Sequence, residues 1–160
     1  MKRKAKGMFG LLAAGLMLMS MSASAADERL GTVVDGSLLT EDNEITYTVT
    51  PRTRGSFLAS GSGSLTIAGS RYLLMSGNTT CYSYVDEVNV SLILQRLSGN
   101  KWVYVTELPT KTAYNACYVT SSGYKTVAGG YYYRIYGGHV AFENGVSEAL
   151  TSYSNGIWVD

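Results

Sequence analysis

Hydrophobic and polar residues alternate with a period of two along much of the chain. The clearest case is Val88–Gln95, in which valine and leucine occupy every second position. This pattern predicts a β-strand with one buried face. Turn signals recur at intervals of about ten residues, and no segment after the N-terminal region has the periodicity of an amphipathic helix. We therefore predict an all-β, immunoglobulin-like antiparallel β-sandwich of about 7–9 short strands.

Three local signals set the predicted connections. Ser76–Thr79 has the composition of a turn, and Pro109 is expected to end the strand before it. The pair Asn144-Gly145 predicts a tight hairpin, because both positions tolerate a positive φ. Ile45, Tyr47 and Val49 alternate with threonines before Pro51, which fits either an edge strand or an extended linker.

The aromatic run Tyr131–Tyr136 lies between two pairs of glycines and is predicted to be the central strand. Its alternation places Tyr131, Tyr133 and Ile135 on the core face. The opposite face carries Tyr132, Arg134 and Tyr136, which we expect to be open or only partly covered. These three residues are the candidate ligand face. Their rings either stack on a sugar or form structural cross-strand pairs.

The N-terminus has the three parts of a secretory signal. Four basic residues lie among the first six, an apolar stretch follows, and Ala23-Ser24-Ala25 supplies small residues for cleavage between Ala25 and Ala26. We expect a signal peptide over residues 1–25, a flexible segment over 26–54 and a β-sandwich domain over 55–160. The apolar stretch is too short to span a bilayer comfortably, so membrane contact is expected only before cleavage.

Composition narrows the function classes. Hydrophobic residues make up 46% of the 160-residue chain and charged residues 16%, which suits one folded core. Without the four basic residues of the leader, nine basic residues stand against 12 acidic ones, a net charge of −3. The expected mature chain has no basic patch, which argues against nucleic acid as a partner.

Cys81 and Cys117 are the two cysteines of the chain. An even number of cysteines in an exported protein favours a disulfide between them. Two buried free thiols are the alternative.

No catalytic or metal-binding pattern is visible. His139 is the one histidine, and it has no neighbouring metal ligands, so a structural role is expected. No nucleophile elbow or phosphate loop is present. Asp86-Glu87 is the one adjacent carboxylate pair on a predicted strand edge, and no motif selects Glu107, Glu143 or Glu148. We expect neither a cofactor nor a metal.

Two resemblances support these expectations. Gly130–Asn155 is similar to the last hairpin of fibronectin type III and immunoglobulin-like domains, where Tyr131 would take the place of the tyrosine corner. The matching residues are Tyr131, Tyr133, Arg134, Ile135, Gly145, Ser147 and Glu148. Residues 54–159 resemble an uncharacterised family of small secreted proteins of Gram-positive bacteria. The residues that carry this second resemblance are Asp86–Val88, Leu94–Leu97, Trp102, Tyr131–Arg134 and Ser154–Ile157. It implies a fold and an extracellular location but no activity.

The expected function is that of a secreted, non-catalytic binding or adhesion module for a glycan or another cell-envelope component. The surplus of tyrosine on strands and the lack of catalytic groupings motivate this hypothesis. The alternative is a structural protein that self-associates through its edge strands. A glycan hydrolase with an unrecognised carboxylate pair is the third hypothesis.

Overall fold

A computed structural model describes residues 39–51 and 55–160 of the chain. The described part consists of β-strands joined by turns and irregular segments, so the all-β prediction is confirmed. The strands are β1 (Leu39–Thr40), β2 (Glu44–Val49), β3 (Leu58–Gly69), β4 (Tyr72–Ser98), β5 (Lys101–Thr126), β6 (Tyr131–Glu143), β7 (Val146–Tyr153) and β8 (Gly156–Val159). Within these residues, no helix has the length and apolar character needed to cross a membrane.

All eight described strands belong to one hydrogen-bonded sheet. Its order is β1-β8-β6-β4-β3-β2, with β5 paired to β4 and β7 paired to β6. The pairings are antiparallel except for the parallel pair β1 and β8. The predicted immunoglobulin-like sandwich is not confirmed, because the described strands form a single curled sheet.

The sheet curls because the two parts of strand β4 have different neighbours on one edge. Its first part, up to Cys81, pairs with β3, and its later part, from Glu87, pairs with β6. Strand β5 pairs with β4 over both parts, so β3 and β6 follow one another along the opposite edge of β4. The register of β4 against β5 shifts between Thr80 and Val85, where a bulge bends the long hairpin. The bend brings β3 over β6, and the core lies between them.

The core explains why β3 is rich in glycine. A Cβ at Gly61 would overlap the ring of His139, and one at Gly63 would lie 3.2 Å from Cγ2 of Ile135. Larger side chains would separate the two layers. Around this close approach, the core is filled mainly by leucines and valines, most of them from β3 and β4, and by Tyr133 and Ile135 of β6.

Several predicted short strands are fused into longer ones. The predicted turn Ser76–Thr79 is continuous strand within β4, where Ser76 Oγ lies 2.6 Å from Ser64 Oγ and Asn78 Nδ2 donates to Ser62 Oγ at 2.7 Å. These cross-strand bonds satisfy the polar residues that suggested a turn. Pro109 does not end its strand either. It lies in β5, at a register irregularity of the sheet edge, where a missing N–H is tolerated.

The outer face of the sheet's first part is lined with hydroxyl and amide side chains. Two rows cross strands β2, β3, β4 and β5 in register, and we call them the hydroxyl face. One row is Thr46, Ser64, Ser76 and Ser122, and the other is Thr48, Ser62, Asn78 and Thr120. The face carries no formal charge.

The boundaries of the predicted segments need one correction. Strands β1 and β2 join the sheet, so the folded unit includes residues before the predicted start at 55. Of the two readings of residues 45–49, the edge strand is the one observed. The predicted signal peptide, the cleavage site between Ala25 and Ala26, and residues 26–38 and 52–54 lie outside the described residues.

The hairpin prediction at Asn144-Gly145 is confirmed. The two residues connect β6 to β7 with φ values of 50° and 77°. Strand β6 itself is longer than predicted, because it continues through Gly137-Gly138 to Glu143. Tyr133 rather than Tyr131 makes the bond expected of a tyrosine corner, since its hydroxyl donates to the carbonyl oxygen of Ala128 at 2.7 Å.

Candidate binding groove

The candidate ligand face is covered. Alternation along β6 is as predicted for Tyr133 and Ile135, which lie in the core, and for Arg134 and Tyr136 on the opposite side. Tyr131, which was also predicted on the core face, is 37% exposed, so that part of the prediction is wrong. However, Arg134 is only 8% exposed and Tyr136 only 6%, and Tyr132 is partly buried. The expectation that this face is open is therefore wrong for Arg134 and Tyr136.

Aromatic rings from other strands provide the cover. The guanidinium of Arg134 lies 4.5 Å from the ring centre of Trp102 and 5.1 Å from that of Tyr153. Its Nε donates to Gln95 Oε1 at 2.8 Å. The rings of Tyr136 and Tyr153 are 4.9 Å apart. Cation–π and ring contacts thus form a second small core on the outside of the sheet.

Burial also affects the acidity of this cluster. It raises the pKa of Tyr136, and the neighbouring hydroxyl of Tyr153 raises it further. The Tyr136 hydroxyl is therefore neutral throughout the physiological range. At the far end of the face, Tyr132 and Trp158 pack edge to face with ring centres 5.0 Å apart. These rings act as structural pairs, which was one of the two interpretations of the sequence.

An open groove lies where this cluster reaches the edge of the sheet. It runs between β2 and β7 and has a volume of about 520 Å³. Its lining consists of Tyr47, Thr48, Val49, Thr50, Ala149, Leu150, Thr151 and Tyr153. None of these residues is acidic, basic or a histidine. The lining thus includes two tyrosines, three threonines and three short apolar residues.

The two tyrosines of the groove are held differently. Tyr153 is packed from behind by Tyr136 and Arg134, so its ring has a fixed position. Tyr47 is 45% exposed and stands on the edge strand β2. The predicted face residues Arg134 and Tyr136 therefore support the groove rather than line it. A groove lined by one ring of fixed position and one accessible ring suits a ligand with a flat apolar surface.

Sequence reasoning missed this groove. The alternation of Ile45, Tyr47 and Val49 was the available signal for its β2 wall. The β7 wall is distant in sequence and comes next to β2 only because the sheet curls.

The histidine is part of the core. His139 is fully buried, with Nδ1 2.9 Å from Thr79 Oγ1 and Nε2 2.8 Å from Ser152 Oγ. The Thr79 hydroxyl donates its own proton to the Asn89 carbonyl, so Nδ1–H donates to Thr79 and Nε2 accepts from Ser152. Burial lowers the pKa of His139 to about 4. The ring is therefore a neutral structural link between β4, β6 and β7.

Three of the carboxylates considered for a hydrolase, those of Asp86, Glu143 and Glu148, accept hydrogen bonds from the backbone. Glu148 accepts backbone N–H groups of Ser56, Phe57 and Leu58 at 2.6, 3.2 and 2.8 Å. Burial raises its pKa, but these three donors outweigh that effect and lower the pKa below its ordinary value. Glu143 Oε2 accepts from the backbone N–H of Asp86 at 2.9 Å. Asp86 Oδ2 in turn accepts from the backbone N–H of Asn144 at 2.8 Å.

Metal-binding clusters of three or more His, Cys, Asp or Glu residues are absent from the described residues. The two cysteines are free thiols in the structure, with Cys81 buried and Cys117 half-buried, so the predicted disulfide is not formed there. Burial raises the pKa of Cys81 to about 11, with smaller contributions from Cys117 and Glu148.

Comparison with known proteins gives a family but no activity. Among curated proteins, none matches the chain in sequence. One solved structure, the sporulation control protein Spo0M of Bacillus subtilis, is 7% identical, with a TM-score of 0.33 over 74% of this chain. The match spans half the length of that structure. Residues 25–156 match the model of a family of unknown function, DUF6147. The chain therefore belongs to the DUF6147 family.

Proposed function

We propose that the protein is an exported, non-catalytic binding module that holds an uncharged carbohydrate chain in the groove between β2 and β7. The observation that carries the proposal is the lining of the groove. It combines Tyr47 and Tyr153 with Thr48, Thr50 and Thr151 and has no ionised side chain.

This lining matches the surface of a neutral sugar. A pyranose ring has an apolar face of C–H groups, which packs against an aromatic ring, and hydroxyls around its rim. Tyrosine supplies an apolar body and a polar tip, and threonine supplies a hydroxyl that both donates and accepts. A charged ligand would find no partner among the lining residues, and burying its charge there would be costly.

Export is supported by the sequence of residues 1–25. The basic start, the apolar stretch and the small residues before Ala26 together form a secretion signal. An exported protein meets the polysaccharides of the cell envelope and of the surroundings, which makes them the first ligands to test.

The test is retention of the purified protein on isolated cell envelopes and on insoluble neutral polysaccharides, followed by titration with soluble fragments of whichever one retains it. Tyr47→Ala removes the exposed ring of the groove. We expect it to weaken binding about tenfold or more, since stacking and apolar contact of one ring contribute roughly 1.5 kcal/mol or more.

Tyr104→Ala is the matched control. Tyr104 is 57% exposed on β5 and lies outside the groove. Its loss should leave binding unchanged. Equal effects of the two substitutions, or saturable binding that Tyr47→Ala does not weaken, would refute the placement of the ligand. An absence of retention on every envelope and polysaccharide would count against the carbohydrate itself.

A further inference from the structure

Strand β5 is an exposed edge of unusual length. It runs from Lys101 to Thr126, 26 residues, and β4 is its one partner among the described strands. The edge that faces away from β4 therefore presents backbone N–H and C=O groups to solvent. Such an edge is a template for pairing with another strand unless the sequence protects it.

Apart from Lys125 near the end of β5, this protection lies in the first part of the strand. Lys101, Pro109 and Lys111 lie there, and each disfavours the approach of a second strand. Asn115, with a φ of 48°, adds a kink at the end of this part. From Ala116 to Tyr124 the strand has neither a proline nor a charged residue. We call residues 116–124 the open edge.

The open edge has the side chains of a strand that pairs with its own copy. Tyr118 and Tyr124 are 49% and 53% exposed and lie on the outer face together with Thr120 and Ser122. Tyr124 is also stacked in parallel on Tyr72 of β4, with ring centres 4.9 Å apart. The edge is thus bordered by aromatic rings at both ends and carries hydroxyls between them.

We propose that the open edge pairs antiparallel with the open edge of a second copy of the chain, about a twofold axis at Ser121. The positions of the tyrosines lead to this register. An axis at Ser121 places Tyr118 of each copy opposite Tyr124 of the other, and Thr120 opposite Ser122. Aromatic pairs and hydroxyl pairs directly across an antiparallel ladder are both favourable. The interface is isologous, as twofold dimers require.

The pairing would continue the hydroxyl face from one copy into the other. Each copy contributes its strands β2, β3, β4 and β5 to this face. No formal charge lies on the open edge, so no like charges meet at the interface. A second copy is thus the partner that the side-chain pattern selects.

The first test is the molar mass of the purified protein, measured by size-exclusion chromatography with light scattering from micromolar to millimolar concentration. The expected result is a monomer that becomes a dimer as concentration rises. Ser122→Lys places a charge at the centre of the open edge, at an exposed position with little effect on the fold. We expect it to weaken dimerisation roughly tenfold or more, because two like charges then meet near the axis.

Thr110→Lys is the control, with the same new side chain at an exposed position of the protected part. It should dimerise like the unaltered chain. The proposal would be overturned if the unaltered chain stayed monomeric at millimolar concentration. It would also be overturned if the Ser122→Lys variant dimerised like the unaltered chain.

A second measurement needs no substitution. Amide hydrogen exchange of the unaltered chain should slow with rising concentration at residues 116–124 and stay constant along Lys101–Lys111. Slowing along the protected part, or at β2 instead, would assign the interface to another edge and overturn the proposal.

Discussion

Acidification should destabilise the protein through one buried ring. His139 is fully buried between two neutral hydroxyls, and its pKa falls from 6.5 to about 4 in the folded state. Between these two values the unfolded chain takes up a proton on the imidazole and the folded chain does not. The unfolded state therefore gains stability as the pH falls, and the contribution of the neutral ring is complete only above the unfolded pKa of 6.5.

The size of this effect follows from the pKa values. Each unit of difference corresponds to about 1.4 kcal/mol, so the full difference is about 3 kcal/mol. This is a large fraction of the roughly 5–15 kcal/mol that stabilises a typical domain. Most of the loss should occur between pH 6.5 and pH 4, and the part above about pH 5 lies above the range in which ordinary carboxylates titrate.

Urea unfolding at a series of pH values measures the loss directly. The unaltered chain should lose stability steadily from pH 6.5 to pH 4. His139→Gln replaces the ring by an uncharged amide, and this variant should be less stable at pH 7 but almost independent of pH above 5. If the variant shows the same slope as the unaltered chain, the reasoning about His139 is wrong and other groups carry the acid sensitivity.

Two further predictions concern the core and the thiols. Gly61→Ala should destabilise the fold by about 1–3 kcal/mol or more in urea unfolding, because the new methyl group overlaps the ring of His139. The control Gly69→Ala, whose methyl group would lie 3.9 Å from the nearest atom, should change stability far less. Cys117 should react with a thiol reagent in the folded protein well before Cys81, which is buried and has a pKa of about 11. If both resist the reagent until a reductant is added, the two cysteines form the disulfide expected from the sequence.

The structural features that were predicted correctly from the sequence are those that depend only on residues close together in the chain. Alternation gave the strand class and the facing of β6, because side chains of a strand point to opposite sides whatever lies around them. The hairpin at Asn144-Gly145 was predicted correctly, because the positive φ values that such a turn requires depend on these two residues themselves.

What the sequence could not supply were contacts between distant segments. Trp102 and Tyr153 cover Arg134 from two other strands, and no local pattern indicates that cover. The serines and glycines of β3 and β4 have the composition of turns. They form strands here because hydroxyls bond across the ladder and the glycines allow the two layers to approach.

The groove and the open edge lie on opposite sides of the same part of the sheet, which makes the two proposals independent. In the order β2, β3, β4 and β5, the groove borders β2 and the open edge belongs to β5. A dimer joined at β5 therefore leaves both grooves accessible. It would carry two ligand sites at its outer ends, and a polysaccharide surface would retain it more firmly than a monomer through avidity.

Soluble fragments engage one groove at a time, so their affinity reports on the groove alone, whereas molar mass reports on the edge alone. Failure of either proposal thus leaves the evidence for the other intact.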